Sequence, residues 1–243
     1  MAGTVTVTAS DSVLSLALKV YVLTGGVEPG GNQVSGVNSP PTGSLTPAGN
    51  SSLPVWGVYD ETASNAFGAA ASNTLDNGAA SGGSTESGNG RYTGTVTSGT
   101  PITVGASTPT GDSTVIACYE ILASGGTTPA VDGSTPAWVN SSPTAISTAS
   151  FTPPVGSVLV AVTVMAKSTS ADPVMSDSFG LGLVWTKRSG VADVPGSGSG
   201  AYVFTTSIAA PPTAGPAISG RDMGQRPVIV VSNAGWRGGQ HSR

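Results

Sequence analysis

Charge is what this sequence has least of. Its 243 residues include 9 Lys and Arg and 13 Asp and Glu, 9% of the chain, against about a quarter in ordinary soluble domains. Disorder sustained by charge repulsion is thereby excluded, and the mean hydropathy is slightly positive at +0.13. A helical bundle or coiled coil is excluded too, because no stretch places Leu, Ala, Glu and Lys at helical spacing. Cysteine is represented only by Cys118, which rules out an intrachain disulfide framework. It sits in the apolar run Thr114–Tyr119, where it reads as a small buried hydrophobe.

Histidine is equally scarce. The single His241 lies three residues from the end of the sequence, whereas a Ser-His-Asp triad needs an imidazole held by a third group inside a scaffold. Zinc sites of the Cys/His kind lack ligands, and Asp60, Glu61, Asp172, Asp177 and Asp193 show no EF-hand spacing. These acids read as loop acids. No catalytic residue, metal site or cofactor is expected, and the chain is read as a non-enzyme. Gly196–Gly200 is a flexible loop with no Lys-Ser/Thr after it, so it does not cradle a phosphate. Lys187-Arg188 is the only adjacent basic pair, so no specific nucleic-acid partner is expected. The longest apolar stretch, Val158–Ala166, falls short of the roughly 20 residues that a membrane helix needs. The opening residues lack the basic segment of a signal peptide, which predicts synthesis in the cytoplasm without export.

What the chain does have is Gly (35), Pro (18) and many β-branched residues. Thr4–Thr8 alternates with period two, and Leu16–Leu23, Val55–Tyr59, Arg91–Thr97, Pro101–Val104, Thr114–Leu122, Ser157–Ala166, Gly182–Lys187, Ala201–Ser207 and Pro227–Val231 are further strand candidates. Turn clusters separate them, among them Gly25–Gly31, Asp76–Gly78, Ser81–Gly90 and Ser124–Pro129. Ser64–Ala71 could form one helical turn. The pattern predicts an all-β protein of antiparallel sandwich or jelly-roll-like architecture.

Three stretches recur in order. Ser51–Val55 matches Ser157–Ala161 at an offset of 106, Gly90–Thr95 matches Gly200–Thr205 at 110, and Gly111–Cys118 matches Gly224–Val231 at 113. In-order recurrence predicts an internal duplication into two tandem β units. The expected organisation is an N-terminal extension over 1–43 packed with the first unit, a first unit over 44–123, a linker over 124–145, a second unit over 146–232 and a tail over 233–243. Trp138 is the one bulky anchor of the linker.

The four tryptophans divide by context. Trp56 and Trp185 lie in strand-like runs and are expected in the core. Trp236 lies in the glycine-rich, basic tail with Arg237 and Arg243, and these three are the candidate subunit-contact residues.

Ser150-Phe151-Thr152-Pro153-Pro154 with Ser157–Ala161, then Ser176–Leu181 and Leu183–Arg188, resembles β-sandwich modules of virion proteins from tailed phages of actinobacteria, usually described as minor tail proteins. Leu16–Gly25 and Gly235–Gly239 are similar to the same group. Gly182, between Leu181 and Leu183, is a departure that lengthens the usual turn. The resemblance implies a structural virion component, a minor tail or tail-tip protein, partnered by copies of itself and by other virion proteins. Capsid decoration or a head fibre is the second expectation, and a module binding host-surface carbohydrate the third.

Overall fold

Strands that are apolar at every position need a sheet covered on both faces, and the computed structural model contains two such sheets. It describes residues 1–9, 15–28, 30–60, 66–81, 85–110, 114–141, 144–166, 171–193 and 198–209. The chain divides into Met1–Ala210 and Pro211–Arg243, and the second unit lies outside the described residues.

All eighteen elements among the described residues are strands. The first nine are β1 (Val5–Thr8), β2 (Leu16–Thr24), β3 (Gly26–Val27), β4 (Gln33–Asn38), β5 (Thr42–Leu45), β6 (Leu53–Asp60), β7 (Gly68–Ala69), β8 (Asn73–Ser81) and β9 (Thr85–Tyr92). The second nine are β10 (Ile102–Thr108), β11 (Thr114–Ala123), β12 (Ala130–Val131), β13 (Val139–Ser141), β14 (Ala145–Ser147), β15 (Val158–Ala166), β16 (Val174–Asp177), β17 (Thr186–Asp193) and β18 (Ser199–Ser207).

They stack in four layers. One inner sheet runs β12-β2-β15-β18-β17 with β13 also on β2, and the other runs β3-β11-β6-β9-β8 with β4 also on β11. Their facing side chains, among them Tyr21, Val55, Tyr59, Tyr119, Val160, Val162 and Val203, form the central core. The outer face of the first inner sheet is covered by the small sheet β14-β1-β16 over Leu18, Val20, Leu159 and Phe204. The outer face of the second is covered by β5-β10-β7 over Trp56, Val58, Ile116 and Cys118. This layering accounts for the two kinds of strand in the sequence. β2, β6 and β15 have two buried faces and are buried throughout or nearly so, whereas β1 alternates, Val5 and Val7 inward and Thr8 outward.

The pairing pattern repeats itself. Every pairing is antiparallel, and advancing each strand number by nine, with β18 followed by β1, carries each of the fourteen pairings onto another. β6 with β9 becomes β15 with β18, and β1 with β14 becomes β10 with β5. Only the β6–β9–β8 ladder and its twin β15–β18–β17 stay within one set of nine. The others cross between sets, because β1–β2 sits among the second nine strands and β10–β11 among the first.

This arrangement differs from the expected units in two places. Within residues 1–43, β3, β4 and β5 pair with β10 and β11, whereas β1 and β2 pair with strands from 130–207. The place beside β15 needs a long strand apolar on both faces, and Leu16–Thr24 is one. Residues 124–145, read as a linker, supply β12 and β13 to the flank of β2. The matching stretch Gly224–Val231 lies outside the described residues.

Local readings also shift. Asp76–Gly78 and most of Ser81–Gly90 read as turns but belong to β8 and β9. The reason is packing: a Cβ on Gly90 would lie 2.4 Å from Trp56 Cζ2, so the indole fills the space that side chains of β9 would take. Of the helical turn read at Ser64–Ala71, residues 66–71 are described, and they contain the strand β7.

The two inner sheets come into close contact at Gly57, where a Cβ would lie 2.4 Å from Val162 Cγ1 and 3.0 Å from Val164 Cγ1. Gly57→Ala is expected to lower stability by about 2 kcal/mol through overpacking, read as a lower urea midpoint at unchanged slope. Gly133→Ala, with nothing within 4 Å of its Cβ, should leave the midpoint unchanged.

Candidate functional site

Most polar and ionisable side chains that the fold buries are spent on the chain itself. Glu120 on β11 accepts bonds from the backbone N–H of Asn32 (2.9 Å), Ala48 (2.8 Å) and Gly49 (3.1 Å) and from Ser52 Oγ (2.5 Å). A buried carboxylate so surrounded fixes two connections and has no acceptor capacity left for a ligand. Two positions earlier on the same face of β11, Cys118 is fully buried. Burial, with the Glu120 charge nearby, holds its thiol far above the usual range, the condition of an inert structural cysteine.

Two tyrosines link the inner sheets. Tyr21 pairs with Val160, and Tyr119 occupies the twin position opposite Val55. The Tyr21 hydroxyl lies 2.8 Å from Asp76 Oδ2 and 2.9 Å from Asn89 Oδ1, and Arg91 clamps Asp76 with bonds of 2.7 and 2.8 Å. Burial and the Asp76 charge raise the Tyr21 phenol well above its ordinary pKa. The Arg188 guanidinium lies 5.8 Å from the Tyr119 ring centre, bonds Thr205 Oγ1 at 2.8 Å and stands 3.7 Å from Glu28. Asp76 and Arg188 are the residues passed over by the register shifts of β8 and β17. A bulge re-aims the side chain it adds, and here it turns each charge toward a tyrosine of the facing sheet. Lys19, also buried, donates to the Pro136 carbonyl at 2.9 Å, and desolvation lowers its pKa.

Asp60 and Glu86 are a further buried acidic pair, opposite each other on the β6–β9 ladder. Burial first, then the Asp60 charge, raises the Glu86 pKa, and a bond from the Phe67 N–H offsets part of this. Among the described residues no group of three or more His, Cys, Asp or Glu is placed to hold a metal ion.

An open groove lies elsewhere among the described residues. β16 and β17 are joined by residues 178–185, whereas the twin connection between β7 and β8 is only residues 70–72. The longer connection raises a wall beside β17 and encloses a groove of about 630 Å³, lined by Asp172, Met175, Asp177, Trp185, Lys187 and Phe204 among others. Asp177 shapes it, accepting from the Phe179 N–H at 3.1 Å and from Trp185 Nε1 at 3.2 Å. Lys187 pairs with Asp172. Val174, Leu181 and Val184 stand exposed around this connection, Val184 at 77%. Gly182, at φ +63°, has open space where a Cβ would be, so the residue that departs from the resembled pattern forms part of the lip.

Trp56 is in the core as expected, fully buried. Trp185 is not fully buried: it packs against the outer core by one side and faces the groove by the other. Its apolar context suggested a core position, and the eight-residue connection that lifts it outward has no signature in a strand-like run. Trp138 is half-buried against the central core. Trp236, Arg237, Arg243 and His241 lie outside the described residues.

Comparison with protein-family models, with curated proteins and with solved structures gives no match. The geometry thus defines the class, an all-β protein of four antiparallel layers with an aromatic-walled groove beside β17.

Glu86 keeps its proton to higher pH in the fold than in the unfolded chain, so its ionisation costs stability as pH rises above the usual 4.5. Glu86→Gln should therefore raise the thermal midpoint at neutral pH. The advantage should close as the pH falls to about 4, where the parent residue is protonated in both states.

Proposed function

We propose that this chain is a non-enzymatic structural component of a tailed bacteriophage virion, first of all a minor tail or tail-tip protein. The observation that carries the reading is where the resembling residues lie. Phe151 and Phe179 stack edge to face at 5.2 Å, and Phe151 bridges to Gly3, closing the outer layer over the first inner sheet. The segment Ser157–Ala161 opens β15 at the middle of that sheet. These two parts of the resemblance, Phe151 with Phe179 and the start of β15, are thus framework residues. A particle that persists outside cells is served by a fold tied together through distant strand pairing and neutral buried surfaces.

Carbohydrate binding is the second reading, and the groove favours it. Trp185 offers an indole against which a sugar ring can pack, with Asp172, Asp177 and Lys187 beside it for hydroxyl groups.

Immunogold labelling of intact particles is expected to mark the tail. Label on the head would replace the tail reading with capsid decoration, and particles without the protein would overturn both. Host-cell glycans are expected to bind the parent chain and to lose about tenfold in affinity with Trp185→Ala, the size of one lost aromatic contact. Equal binding by parent and variant would remove the groove from the account.

A further inference from the structure

The groove beside β17 is bounded on one side by a strand edge. β16 is a terminal strand of the small sheet β14-β1-β16, and six consecutive residues, Asp172–Asp177, line the groove. A strand sends alternate residues to opposite faces, so an unbroken run lines a groove only along its edge. The backbone bonds agree. The Ser178 N–H donates to the Thr4 carbonyl, in line with the register that sets Asp177 opposite Val5 and Val174 opposite Thr8. Bonded and non-bonded pairs alternate along an antiparallel ladder. Ser176 and Val174 therefore bond to β1, while Met175 and Asp177 turn their N–H and C=O groups outward. Among the described residues nothing bonds the N–H or C=O of Met175. Pro173 stands at the next outward position, where an edge strand tolerates the lack of an N–H.

Side chains complete a place for one more strand. Met175 shares a face of the small sheet with its partner Val7, which is turned into the outer core. A strand added beside β16 would turn alternate side chains the same way, into the groove, where Phe204 and Trp185 offer apolar surface. Asp172 and Asp177 line the groove with one base, Lys187, so an acidic segment is repelled and a neutral or basic one fits. The other edge of β16 already holds such a strand, since the alternating residues Thr4–Thr8 pair with it through β1. The twin layer offers no equivalent. There β7 has only Gly68–Ala69, and residues 70–72 are too short to raise a wall.

We propose that the outward edge of β16 takes an extended segment of another protein, neutral or basic and apolar at alternate positions. The segment adds a fourth strand to β14-β1-β16, bound through its backbone along Met175 and Asp177. The inference rests on the reading of this chain as a structural component, and it names what a neighbouring protein contributes.

The probe is the peptide acetyl-Thr-Val-Thr-Val-Thr-amide, a copy of residues 4–8, added to the isotope-labelled full-length chain. It is expected to shift the amide resonances of Met175 and Asp177 saturably and to slow their hydrogen exchange. When the valines face the groove, their N–H groups point at β16. A copy N-methylated at both valines should therefore bind at least about tenfold more weakly, the effect of two lost backbone bonds. A copy N-methylated at the central threonine, whose N–H points away from β16, should bind like the parent peptide. Equal affinity of all three peptides, or no shift at Met175 and Asp177, would overturn the proposal. A glycan that moves these resonances where the peptide does not would also overturn it and leave the groove to carbohydrate. Labelling of particles enters none of these outcomes, so the virion reading stands or falls separately.

Discussion

The structure depends on one strand pairing, that of β2 with β15. Eight residues of β2 lie in register with eight of β15, and β2 also holds β12 and β13 on its other edge. Its two faces feed two cores: Leu18 and Val20 enter the outer one, Ala17 and Tyr21 the central one. Without it, β15 would become an open apolar edge, the central core would lose one wall, and β1 would have nothing to bring it between β14 and β16. Exposed edges of that kind are what soluble β proteins avoid. The same holds for β11 beside β6.

Four layers also account for the missing charge. In a two-layer sandwich each sheet turns one face to water, and alternate residues are free to be charged. Here the two inner sheets turn both faces inward, so strands such as Val158–Ala166 have no position for a solvated charge. The few charges that enter the interior are fastened to the fold, Glu120 by four donors and Asp76 by Arg91 and Tyr21. Low charge in this chain follows from its internal layering.

How much could be read from the residues follows from the same physics. The all-β class was legible because β-branched runs between Gly and Pro clusters have few other solutions, and the long apolar strands β2, β6, β11 and β15 stand out by their continuous hydrophobicity. β8 and β9 were not legible. Thr85–Tyr92 contains two glycines and three charged or amide residues, and it is a strand because Trp56 and its partners supply the apolar volume from the next strand. The partner of β15 was out of reach as well, since pairing between distant strands leaves no mark in a local pattern. The groove was missed for a related reason: Trp185 has the neighbours of a core residue, and only the length of the connection before it turns one side outward. Asp76 was read as a turn residue, although it is the anchor for Tyr21, because a bulge and a turn use the same residue types.

The β2–β15 pairing also sets an order of events in the ribosome's output. β2 is finished early, but its partner is complete only when synthesis has passed Ala166, and the neighbouring β18 follows later still. Throughout that interval Leu16–Leu23 is a bare apolar strand with no place to go in its own chain, while copies nearby on the same message carry the same strand and, a little later, the same vacancy. Slow, distant pairing leaves such segments open to the wrong partner. A chain built in this way depends on the pace of translation and on the spacing between ribosomes, so its yield of properly closed molecules should depend on how fast, and how crowded, it is made.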